Sequence, residues 1–151
     1  MSPNQVRPKL VVTDAAAALD FYAKVLGANE IVRYDVEGAI VFAETEVFGT
    51  RITLKDADQH DPVPEGAGPI LDVVVADPDR VADAILESGG SVVFEMSDQP
   101  FGGRWGRVRD PFGVQWLLHT EPTMSPDEIR GVLHDHPASP GVGPDHEANT
   151  T

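Results

Sequence analysis

The stretch "VVTDAAAALDFYAKVLGA", residues 11–28, begins as a strand and turns into a helix within a few residues. Ala18, Leu19, Tyr22, Val25 and Leu26 recur at the i, i+1, i+4, i+7, i+8 spacing that gathers apolar side chains on one helical face. Asp14 suits the cap, where a carboxylate accepts from the free N–H groups of the first turn, and Gly27 suits the left-handed residue that ends a helix. The pattern returns further on. Val75, Asp77 and Gly90 repeat the intervals of Val12, Asp14 and Gly27, with Pro78 in the first helical position and Val81 and Ile85 on one face.

Working outward from the two helices, each is preceded by one strand-like run and followed by three. Around the first lie "KLVVT", "EIVRYDV", "AIVFAETEVF" and "TRITLK"; around the second lie "ILDVVVA", "SVVFEM", "RWGRVRD" and "VQWLLHT". The order is β-α-β-β-β twice, which predicts an α+β fold. Each module lays one helix on one face of its sheet, and two modules side by side can curl the other faces into a cup with the helices outside. The boundaries expected are residues 1–58 for the first module and 70–121 for the second. Residues 59–69 then form a linker, part of the Asp-, Pro- and Gly-rich run "DADQHDPVPEGAGP" that starts at residue 56. Residues 122–151 open with a short helix, "SPDEIRGVLHD", capped by Ser125 with Pro126 in its first turn, and continue as a tail too poor in apolar residues to offset its ordering entropy.

Composition excludes several functions. At 151 residues, 41% hydrophobic and 24% charged, the chain suits one globular domain or two small fused modules. It has no cysteine, which removes disulfides, thiolate metal sites and cysteine nucleophiles. A net charge of −14 argues against nucleic acid, whose phosphates need a concentrated basic face. No apolar run approaches the ~18 residues of a membrane span, and "MSPNQVRPKL" lacks a signal peptide's apolar segment, so a cytoplasmic location is expected.

Two motifs, "VVTDAAAALDFYAKVLGA" and "GGRWGRVRDPFGVQW" (residues 102–116), resemble the vicinal oxygen chelate superfamily of glyoxalase I, the bleomycin-resistance proteins and the extradiol dioxygenases. The second motif is especially similar to the PhnB-like branch. The resemblance covers roughly residues 5–120 and implies paired βαβββ modules. It also implies a homodimer, an assembly that would cover exposed sheet edges. Metal-dependent members hold a divalent ion, a Lewis acid for vicinal oxygens, with His, Gln or Glu from the first and fourth strand of each module. Along the matched motifs those positions are Arg7, Thr53, Ile70 and Leu117. A guanidinium stays protonated, two aliphatics offer no lone pair and one threonine hydroxyl is a weak ligand, so neither metal nor cofactor is expected.

Period-two alternation sends Leu10 and Val12 to the helix and Arg7, Lys9 and Val11 to the cup. It also sends inward Ile70, Asp72 and Val74, Phe42 and Glu44, Arg51 and Lys55, Arg107 and Arg109, and Gln115, Leu117 and His119. Six of the 11 basic residues then share one surface of an acidic protein. Asp72 is expected to partner a cup arginine, since a buried carboxylate alone is costly. His119 sits at a strand end within reach of Asp72 or Glu44, whereas His60, His134, His136 and His146 read as solvated loop and tail residues. Trp116 reads as core with Val114 and Leu118. In "MSDQPFGGRWG", glycines at 102, 103 and 106 suggest a movable lid, with Phe101 and Trp105 either stacking on a ligand or packing beneath the loop.

These readings favour a metal-free small-molecule binder whose ligand is flat or cyclic and anionic. A cationic metabolite held by Asp72 and Glu44 is the rival ligand. Two alternative functions stay open: a metal-dependent lyase, isomerase or dioxygenase, and a metal-free enzyme using Asp72, Glu44 or His119 as base.

Overall fold

In the computed structural model, residues 4–135 are described. The expected tail, with His136 and His146, lies outside them. The described residues divide into two compact units, one built on residues 4–69 together with 112–114 and the other on residues 70–111 and 115–135. In the first unit the elements are β1 (Lys9–Val12), α1 (Ala15–Leu26), β2 (Asn29–Val36), β3 (Ala39–Val47) and β4 (Thr50–Asp56). In the second they are β5 (Ile70–Val74), α2 (Pro78–Glu87), β6 (Ser91–Asp98), β7 (Arg104–Arg109) and β8 (Gln115–His119), followed by α3 (Pro126–Asp135). The sheet orders correspond, β1-β4-β3-β2 and β5-β8-β7-β6, and in each the first strand pairs in parallel with the fourth while the other pairings are antiparallel. The chain is therefore α+β with two βαβββ modules, each a four-stranded mixed sheet. No helix among the described residues is long and apolar enough to cross a membrane.

The helix starts follow the expected chemistry. Asp14 accepts from the Ala17 N–H at 3.0 Å and Asp77 from the Arg80 N–H at 3.2 Å. Ser125 and Glu128 cap α3 reciprocally, the Glu128 N–H donating to Ser125 Oγ and the Ser125 N–H to Glu128 Oε1, which holds the Glu128 carboxyl below its usual range.

The helix ends differ between the units. Gly27 closes α1 at φ 69°, as its position predicts. Helix α2 instead ends at Ser88, two residues before Gly90. Gly90 is required by close approach: a Cβ there would stand 2.7 Å from the Arg109 carbonyl oxygen and 2.7 Å from an Ile85 methyl.

Each helix buries one side of its sheet. In the first unit Ala18, Leu19 and Tyr22 belong to a core with Leu10, Val12, Ala43, Ile52 and Leu54. Phe112, from the turn before β8, meets Phe21 and Tyr22 edge-on at 5.6 and 6.2 Å. In the second unit Ala82 and Ile85 belong to a core with Val108, Trp116 and Leu118, and the Trp116 indole donates to Asp110 Oδ2 at 2.9 Å. The Asp- and Pro-rich run starts within the fold: Asp56, the last residue of β4, accepts from the backbone N–H groups of Ala15 and Ile40, both at 2.7 Å. Composition marks this run as a linker because Asp and Pro favour turns, but turn residues with local acceptors also build ordered corners.

Candidate functional site

Opposite its helix, each sheet presents a face rich in polar side chains. On the first unit the register aligns Lys9 with Thr53 and Thr53 with Glu44, so strand alternation puts Lys9, Arg51, Thr53, Lys55, Phe42 and Glu44 on one side. Glu44 is 6% exposed, and both its oxygens are taken. Arg7 Nη1 donates to Oε1 at 3.1 Å and Arg51 Nη1 to Oε2 at 2.7 Å, while Arg7 Nε donates to Gln5 Oε1 at 2.8 Å. Both arginine side chains remain more than a third exposed. Further along, the Lys55 ammonium bonds Asp58 at 2.8 Å and Asp61 at 2.7 Å, and Lys9 reaches Asp61 at 3.8 Å. The Lys55 bond and the backbone N–H groups of Asp61 and His60 depress the Asp58 carboxyl to about 2; Lys55 also lowers Asp61, and both carboxylates raise Lys55.

On the same face Tyr34 and Phe42 stack at 6.3 Å with their planes 25° apart, and both are exposed. Phe42 was legible from strand alternation; Tyr34 was not. The two-residue turn Glu37-Gly38, with φ of 53° and 85°, sets a hairpin register that a bulge between Tyr34 and Asp35 then shifts, bringing Tyr34 opposite Phe42.

The second unit arranges its polar face differently. His119, 8% exposed, holds Asp72 Oδ1 at 2.5 Å through Nε2 and the Thr120 carbonyl at 2.8 Å through Nδ1. Both ring nitrogens thus face oxygen atoms. The expected arginine partner of Asp72 is thus replaced by His119, because Asp72 and Leu117 pair in register and His119 lies two residues along β8 on the same side. Arg107, buried, donates through Nη1 to Gln115 Oε1 at 2.7 Å and lies over the Phe94 ring at 5.2 Å. Phe94 was missed for the same reason as Tyr34: register shifts on both sides of it in β6 hide its facing. Leu117 is buried on this face, whereas Ile70 and Val74 are exposed.

Of the two readings of Phe101 and Trp105, the structure shows the packed one. Phe101 is 6% exposed and meets Trp105 edge-on at 5.7 Å, and the Trp105 ring lies 5.1 Å from that of His119, its cross-strand partner. The Trp105 indole N–H is buried with no hydrogen-bond partner among the described residues. The glycines serve close approach: a Cβ on Gly102 would collide with the Thr123 side chain and one on Gly106 with Met96. The Thr123 N–H donates to the Gly102 carbonyl at 3.2 Å and the Gln99 N–H to the Gly103 carbonyl at 2.9 Å, which ties the loop down.

A divalent ion does not fit the four positions implied by the resemblance. Arg7 is a protonated donor already engaged by Glu44, Thr53 offers a single hydroxyl, and Ile70 and Leu117 offer none. Among the described residues no three His, Cys, Asp or Glu side chains come together as a metal cluster.

Residues 4–118 match the family model described as the glyoxalase/bleomycin resistance protein/dioxygenase superfamily. An uncharacterized protein of Mycobacterium tuberculosis is 35% identical over 137 residues, covering 83% of this chain and 80% of the relative. Among solved structures, TioX from Micromonospora sp. ML1 superposes with a TM-score of 0.62 at 24% identity, over 77% of this chain and 98% of that one. A putative 3-demethylubiquinone-9 3-methyltransferase, PhnB protein, from Bacillus cereus superposes with a TM-score of 0.59 at 19% identity, over 78% and 100%. With repeated βαβββ modules and a family match over most of its length, the chain belongs to the glyoxalase/bleomycin resistance protein/dioxygenase superfamily.

Proposed function

We propose that the chain is a metal-free small-molecule-binding protein of the PhnB-like branch, acting as a cytoplasmic homodimer without a cofactor. The observation that carries this is the occupancy of the metal positions: Arg7, Thr53, Ile70 and Leu117 supply one cation, one hydroxyl and two hydrocarbons. A Lewis-acid reaction needs converging lone pairs and an open coordination position, and this donor set supplies neither. Binding needs only shape, aromatic surface and a few polar anchors, all of which the two sheet faces offer. Native mass spectrometry of the protein after gel filtration tests the proposal: the expected species is a dimer free of divalent metal, alone or with a retained organic molecule. A stoichiometric zinc, nickel, manganese or iron ion overturns the metal-free reading, and a single-chain mass at micromolar concentration overturns the dimer.

A metal-free enzyme is the second reading, and the His119–Asp72 contact favours it. A carboxylate oriented by a histidine that is itself anchored on a carbonyl is one way to hold a general base. A retained molecule released chemically unchanged after prolonged incubation supports binding, whereas its conversion, abolished by Asp72→Asn, supports catalysis.

A further inference from the structure

We propose that the open face of the first unit binds a planar aromatic carboxylate, with the carboxylate on Arg7 and Arg51 and the ring on the Tyr34–Phe42 pair. The proposal rests on the metal-free binding reading and names the ligand class and the residues that select it. Two cations share one buried anion here, so the Arg7–Glu44–Arg51 cluster keeps a positive charge on a chain whose net charge is −14. A guanidinium has more N–H donors than a single carboxylate oxygen can use, and both arginine side chains stay more than a third exposed. Glu44 thereby acts as an anchor: it holds one Nη of each guanidinium and, with Arg7 Nε on Gln5, leaves Arg7 Nη2 and the Nε–Nη2 edge of Arg51 for a second carboxylate.

The aromatic half of the ligand follows from Tyr34 and Phe42. Their rings stack with an interplanar angle of 25°, and both remain exposed on the polar side of the sheet. A third ring can extend the stack. Phe42 precedes Glu44 by two residues on β3, which places the ring platform ~7 Å from the anchor, a span suited to a two-ring acid. A cationic ligand is disfavoured on this face. Glu44, Asp58 and Asp61 each already hold a cation, and Glu46, cross-strand from Arg51, stands exposed to solvent at the end of the strand. The aromatic wall is thereby reassigned from Phe101 and Trp105, which pack on each other and on His119.

The test is calorimetric titration of the full chain with 2-naphthoate, 2-naphthylmethanol, 2-naphthylmethylamine and acetate. 2-Naphthoate is expected to bind at least tenfold more tightly than the alcohol, the amine or acetate. Arg51→Gln is expected to weaken it by roughly tenfold or more, the scale of a lost charge-assisted hydrogen bond. Phe42→Ala should weaken it severalfold, and Trp105→Ala should leave it unchanged. Because the Arg51 side chain is half-buried and Phe42 is exposed, both variants should keep the parent's circular dichroism spectrum; a Tyr34→Ser variant repeats the aromatic test if Phe42→Ala does not. Absence of naphthoate binding, equal binding of the amine, or affinity unmoved by Arg51→Gln and by both aromatic variants overturns the proposal. If the amine or the alcohol binds instead, this proposal fails while the binding reading stands. A resident divalent ion in the same preparation removes the binding reading itself.

Discussion

The two units fold by one plan and treat their polar faces in opposite ways. In the first, charge is balanced at the edge of solvent: two arginines on Glu44 and two lysines on Asp61, with an aromatic pair left open. In the second, Gln115, Arg107 and His119 are each less than 10% exposed, and their bonds include those to Asp72, to a carbonyl and between Arg107 and Gln115. The helix-facing sides, by contrast, correspond closely. Folding constrains the side of the sheet that must exclude water, and it leaves the other side free to diverge.

The largest expected effect probes the constrained side. Trp116, fully buried and bonded to Asp110, has no aromatic counterpart in β4, where Leu54 and Ile52 fill the core. Trp116→Ala should cost ~3–5 kcal/mol of unfolding free energy in urea, and Leu54→Ala ~2–4 kcal/mol. Trp116→Phe should recover most of the loss but not the indole bond. A Trp116→Phe variant as stable as the parent would mean that the Asp110 contact adds nothing to the core.

The paired glycines sharpen the comparison at smaller cost. Gly27 has open space around it and a φ of 69°, whereas Gly90 has a crowded surrounding and no such φ. Gly27→Ala should cost ~1–2 kcal/mol through left-handed strain, and Gly27→Asn less, because Asn tolerates that conformation. Gly90→Ala should cost ~1–3 kcal/mol through overpacking against Ile85 and the Arg109 carbonyl, and Gly90→Asn should be worse. Urea titrations of the four variants read the two orders, and a shared order would show that both glycines serve the same purpose.

Those glycines also mark how far the sequence was legible. The repeat of Val12, Asp14 and Gly27 in Val75, Asp77 and Gly90 located both modules, and the strand-like runs match the eight strands, because burial on one face enforces a period that a sequence displays. The repeat could not show that Gly90 serves packing, since identical spacing hides different causes. On the polar faces alternation placed Glu44, Arg51, Arg107 and His119, but partners across strands depend on register. Bulges near Tyr34 and beside Phe94 displaced that register by amounts no local pattern records. The loop glycines misled for a related reason: Gly102 and Gly106 look like freedom in a sequence, and only the position of Thr123 and Met96 shows that they are constraint.

A modest effect is expected at the clamp. Glu44→Gln removes the anion between Arg7 and Arg51 and leaves two guanidinium groups facing a neutral amide. Because both arginines can turn to solvent, the loss should be only ~1 kcal/mol. Asp72→Asn is the matching change in the second unit, where the buried His119 ring cannot turn out so easily. Thermal melts at pH 7 should therefore fall further for Asp72→Asn than for Glu44→Gln, and the reverse order would show that exposure does not govern these pairs.

The smallest effect is a pH dependence, and it has the same sign in both units. Asp58 is held at about 2 by Lys55, and the Arg104 guanidinium lowers Asp79 through paired bonds of 2.9 Å each. A carboxyl depressed by folding contributes stability that is fully present above its unfolded value, and the contribution is lost as pH falls through the folded value. The melting temperature should therefore hold from pH 7 to about 5 and decline below the usual carboxylate range, continuing toward pH 2 for the Asp58 contribution. The two units are separable by site. Lys55→Met should return the Asp58 titration, followed by its side-chain carbonyl carbon resonance, to the usual range while leaving Asp79 unmoved. Arg104→Met should do the converse, because each carboxylate draws its shift first from its own cation. If either change moved both resonances together, the two ion pairs would be energetically coupled, and the view that each unit balances its own charges would fail.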